Sequence, residues 1–109
     1  MKQFYTVVLD RMATFGDRLE SEPYECAWAD EALCFVRVSK LPEGATLRGL
    51  MQISVDGIHW VDEGTRFADM KKEGDYFVKV REFGGWLRLV LTLTEGAACE
   101  VTTHLVLKG

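Results

Sequence analysis

The chain has 109 residues, 48% hydrophobic and 28% charged, the composition of a soluble globular domain with a real core. A formal net charge of −4 argues against a basic face for nucleic acid or an anionic membrane, so neither is expected as a partner. No stretch approaches the roughly eighteen apolar residues of a membrane helix.

The opening residues begin like a signal peptide but reach Asp10 too early for its apolar region. They read instead as a first strand, with Tyr5, Val7 and Leu9 alternating with Thr6, Val8 and Asp10. Residues 11–22 fit no period, and Gly16 interrupts any helix, so a long loop or a single turn is expected there. Tyr24, Cys26 and Trp28 would share one face of a short strand, with Trp28 in the core. In the next strand, Leu33 to Leu41, the run Leu33, Cys34, Phe35 and Val36 is apolar on both faces, which predicts cover on both sides at that end.

Pro42, Glu43 and Gly44 signal a turn into the hairpin around which the chain is organised. Met51, Ile53 and Val55 alternate with polar residues up to Asp56-Gly57, a pair suited to a two-residue turn. That register sets Val55 opposite Ile58, and Ile53 opposite an inward-facing Trp60. After a charged loop, Tyr76, Val78 and Val80 form another strand, and Gly84-Gly85 turns the chain. Leu87, Leu89, Leu91 and Leu93 point inward from the clearest strand. A turn at Glu95, Gly96, Ala97 and Ala98 leads to its expected partner, with Cys99, Val101, Thr103, Leu105 and Leu107 on one face. Eight or nine strands with turn punctuation and no helix predict an all-β, single-domain antiparallel β-sandwich of jelly-roll type over residues 1–109.

In the C-terminal half, Ser54, Asp56, Gly57 and Trp60 stand as S-x-D-G-x-x-W. Phe67, the run Trp86-Leu87-Arg88-Leu89, and the closing Leu105, Leu107 and Gly109 follow in order. Over residues 50–109 this resembles the discoidin (coagulation-factor type C) family and related carbohydrate-binding jelly rolls. The resemblance implies fold. The first half is shorter than in that family, where the ligand-touching loops lie, so no ligand residues carry over.

Three cysteines, Cys26, Cys34 and Cys99, are an odd number and read as free buried thiols. That suits a cytoplasmic protein or part of a particle assembled inside the cell. His59 and His104 lack the spacing of a metal or catalytic site, and no nucleophile motif is present. The chain therefore reads as no enzyme, with no cofactor and no resident metal. The carboxylates Asp69, Glu73 and Asp75 leave a loop calcium site open.

The outer face of the last two strands would place Trp86, Arg88, Val90 and Thr92 beside Thr102, His104 and Val106. This partly apolar surface has the character of a contact face. Phe15 and Leu19 would cover it in the same chain or in a neighbour. Trp86 is either exposed as a stacking platform or covered by a loop. The expected function is a structural subunit that self-associates or decorates a particle. The alternative is a carbohydrate-binding module in which Trp86 stacks on a sugar and Arg88 hydrogen-bonds it.

Overall fold

A computed structural model describes residues 4–81, 83–95 and 98–109. Among these residues nine strands run in the order β1 (Phe4–Phe15), β2 (Arg18–Glu20), β3 (Tyr24–Glu25), β4 (Glu31–Lys40), β5 (Thr46–Ser54), β6 (Val61–Arg66), β7 (Gly74–Arg81), β8 (Trp86–Thr94) and β9 (Cys99–Lys108). The first half of the chain pairs antiparallel with the second in nested order. β5 meets β6, β4 meets β7, β2 and β3 meet β8, and β1 meets β9. The chain is thus one long hairpin, folded at residues 55–60 and wound into two sheets, which is the jelly roll. Sheet A has the order β1-β9-β4-β7; sheet B has β2-β8-β5-β6, with β3 also on β8.

Alternation in the sequence sets which side chains enter the space between the sheets. Leu87, Leu89 and Leu91 of β8 face Leu105 and Leu107 of β9, with Ala32, Cys34, Val36 and Val38 from β4 and Leu47 and Met51 from β5. Each fully buried leucine contributes about 1.5–3 kcal/mol of transfer free energy. Phe67, Met70 and Phe83 add bulk to this core from the connecting segments. The three cysteines are free and buried, and burial pushes their thiols up to about 12 (Cys26, Cys34) and about 11 (Cys99).

Several expectations are corrected. Residues 11–22 form no long loop: β1 continues to Phe15 through bulges near Asp10 and Met12, and β2 follows. Met12 has a positive φ of 47°, which lets the strand turn without leaving β9. Phe15 and Leu19 pack against the core from there and cover no outer face. β3 is only two residues long, and Trp28 is 44% exposed, its ring lying against Gly109. The strand that follows Gly85 does not pair with the last one. β8 and β9 lie in different sheets, because β8 is already held by β5 on one side and by β2 and β3 on the other. Of the turn expected at 95–98, Gly96 and Ala97 lie outside the described residues.

Candidate functional site

The separation of β8 from β9 splits the predicted contact face. Trp86, Arg88 and Thr92 look out from sheet B, while His104 looks out from sheet A on the other side of the sandwich.

On sheet B the outer side chains are largely committed to one another. Arg88 Nε donates to Gln52 Oε1 at 2.8 Å, its Nη2 lies 3.3 Å from Glu20, and its guanidinium sits 4.4 Å from the Trp60 ring centroid. Trp60 therefore faces outward, contrary to the inward position its spacing suggested. Gln52 in turn donates to Asp62 at 2.9 Å. Trp86 is half-buried beneath the 55–60 loop: a Cβ placed on Gly57 would lie 3.1 Å from its ring. Val90, flanked by Leu50 and Glu20 in the strand register, is only 2% exposed.

The same loop corrects the two-residue turn. Ile53 pairs with Val61, leaving six residues between the strands. Ser54 Oγ accepts the N–H groups of Asp56 (3.2 Å) and Gly57 (2.8 Å), and Asp56 Oδ1 accepts those of Ile58 (2.8 Å) and His59 (2.9 Å). His59 Nδ1 lies 2.8 Å from Asp56 Oδ2. The His59 ring and these N–H groups together hold the Asp56 carboxyl well below the usual carboxylate range. Because side chains satisfy the backbone here, the strands need not close tightly. Val55 and Ile58 are left 90% and 74% exposed, beside Val61 at 61%. Ile53, Val55 and Val61 line a hollow of about 300 Å³ there.

The outer face of sheet A is the more continuous surface. Cross-strand register places Val8, His104, Phe35 and Phe77 in one row and Thr6, Val106, Leu33 and Lys79 in the next. The Phe35 and Phe77 rings stack with centroids 5.5 Å apart, and Phe77 remains 54% exposed. Contrary to the cover expected on both sides, no second layer covers this side of β4 among the described residues, and Leu33 and Phe35 there are half-buried. Two hollows, about 320 and 390 Å³, adjoin at Arg37 and His104. Charged residues ring the centre. Arg37 pairs with Asp75 at 2.8 Å, Arg81 with Glu31 at 3.2 Å, and Lys40 with Glu100 at 3.9 Å. With Arg11, Lys79 and Lys108 added, this face carries six cations against three anions among the described residues, although the whole chain is net −4. The signal for it in the sequence was the two-sided apolar run of β4. What was missing was β7, whose Phe77 becomes its neighbour through a long-range pairing.

Among the described residues, no group of three or more His, Cys, Asp or Glu side chains could hold a metal ion. Among them, too, no helix is long and apolar enough to cross a membrane.

No protein-family model matches the chain, and no curated protein does. Solved structures do. YomS, an SPBc2 prophage-derived protein, superposes with a TM-score of 0.67 at 8% identity, covering 100% of this chain and 96% of that one. VP2 of infectious bursal disease virus, in a subviral particle, gives 0.63 at 11% identity, covering 98% of this chain. The exported protein XepA of PBSX gives 0.62 at 5% identity over 98%. This chain spans about a third of each of the last two, 32% and 36%. At such identities the likeness shows the fold: a jelly-roll β-sandwich. The jelly-roll fold that the discoidin resemblance implied is shown; the resemblance to that family itself is not.

Proposed function

We propose that the protein is a non-catalytic structural subunit that self-associates, or joins a larger particle, through the outer face of sheet A. The observation that carries this reading is the apolar row of Val8, Phe35 and Phe77, half-buried but for the 54% exposed Phe77, with Leu33 and Val106 beside it, ringed by charge. An apolar centre with a polar rim is the anatomy of a protein contact. Four strands about 4.8 Å apart and ten residues at about 3.4 Å give roughly 650 Å², near the ~800 Å² that a standard interface takes from each partner. The likeness to VP2, solved as a subviral particle, is in keeping with a particle role.

The carbohydrate-binding alternative loses its support, since Trp86 lies under Gly57 and Arg88 is held by Gln52, Glu20 and Trp60. Light scattering at tens of micromolar tests the proposal. The expected mass is a multiple of 12.4 kDa that falls to 12.4 kDa in Phe77→Glu. A monomeric wild type refutes self-association.

A further inference from the structure

The apolar loop at 55–61 is not used by that reading as it stands. Its aliphatic side chains are turned out to solvent, while Ser54, Asp56 and His59 bond to one another and to the loop backbone, the His59 ring itself staying 84% exposed. Ser54, Asp56 and His59 fix the backbone, and Gly57 rests on the Trp86 ring. A pre-organised loop of this kind loses little entropy on docking. Residues 55–63 hold three carboxylates, Asp56, Asp62 and Glu63, and no lysine or arginine. Arg66 of β6 pairs with Asp62 at 3.7 Å, so the tip with its flank carries −2 with histidine neutral. The outer face of sheet A has an apolar centre and, among the described residues, six cations against three anions.

We infer that the tip of one copy docks on the sheet A face of the next, with Val55 and Ile58 entering the hollows beside His104. This rests on the assembly reading and names its partner: a second copy, held by its 55–63 loop. Two copies joined face to face would set like charge against like. A tip on a face sets unlike charges together and buries the most exposed aliphatic side chains of the loop. The tip belongs to the β5–β6 connection of sheet B and the face to the other sheet, so the contact joins two different surfaces. It is heterologous, and it repeats until it closes a ring or runs on as a filament.

Complementation of two variants of the full chain tests this, with circular dichroism as a check on folding. Ile58→Lys spoils the tip and leaves the face; Phe77→Glu spoils the face and leaves the tip. Both positions are more than half exposed, so the fold is expected to tolerate them. Each variant alone should be a 12.4 kDa monomer, and a 1:1 mixture should give a species of twice that mass and no larger. Raising sodium chloride from about 50 mM to about 0.5 M should weaken the mixed dimer. If Ile58→Lys keeps the wild-type mass while Phe77→Glu is monomeric, the tip is not the occupant and only the assembly reading stands. If the mixture stays monomeric, the heterologous contact is overturned. If neither variant changes the wild-type mass, both readings fall.

Discussion

Gly85 is the position at which the geometry makes its sharpest demand. Its φ of +79° lies in the left-handed region, and an added Cβ would stand 2.8 Å from the Ser54 carbonyl oxygen. The residue cannot easily move away, since its own carbonyl accepts the Cys26 N–H at 2.7 Å. For Gly85→Ala the left-handed backbone costs about 1–2 kcal/mol. The forced shift of a packed neighbour adds about 1–3 kcal/mol. A loss of about 3 kcal/mol lowers Tm by roughly 12 °C in a chain of this size. Gly84 is the control: a Cβ added there would meet nothing within 4 Å and its φ is unexceptional, so Gly84→Ala should leave Tm almost unchanged. Thermal and urea denaturation of the two variants make the comparison. Equal midpoints would refute the claim that the 84–85 turn is locked against Ser54.

Three other outcomes follow from named contacts. Thr103, fully buried, accepts the Asp10 N–H at 3.0 Å and donates to the Asp10 carboxylate at 3.1 Å, so Thr103→Val should cost about 1–2 kcal/mol in urea unfolding. The two aspartates should respond to pH with opposite signs. Desolvation raises Asp10 despite the Thr103 hydrogen bond, so its contribution is present at low pH and fades as pH rises through its folded pKa. Asp56, lowered by His59 and the loop N–H groups, contributes above the unfolded carboxylate pKa and is lost as pH falls through its folded value. Urea midpoints of Asp10→Asn and Asp56→Asn between about pH 2 and pH 7 read both; slopes of like sign would contradict the assignment. Finally, buried thiols with pKa values of about 11 and about 12 should not react with a thiol reagent near pH 8 until the chain unfolds, and a fast-reacting thiol in the native protein would show an opening absent from this fold.

The sequence by itself determined the long alternating strands and which of their side chains turn inward, though not the run of β1 to Phe15, β2, or the outward turn of Trp60. Leu87 to Leu93 and Cys99 to Leu107 alternate with period two, and a period-two pattern with one dry face leaves the backbone little choice. It also marked β4 as apolar on both sides, the trace of the candidate interface. Partnership between strands was another matter. Leu93 and Cys99 are neighbours in sequence, and nothing local says that the chain crosses from one sheet to the other between them. That was decided by competition for edges: β8 is taken by β5, β2 and β3, and β9 by β1 and β4. The tip shows the same division. Asp56-Gly57 announces a turn, but its width was set by side-chain acceptors on Ser54 and Asp56 and by the Trp86 ring beneath Gly57. Alternation is a property of one strand, legible along it; register, sheet membership and the charge of a face are properties of several strands at once, and only their packing fixes them.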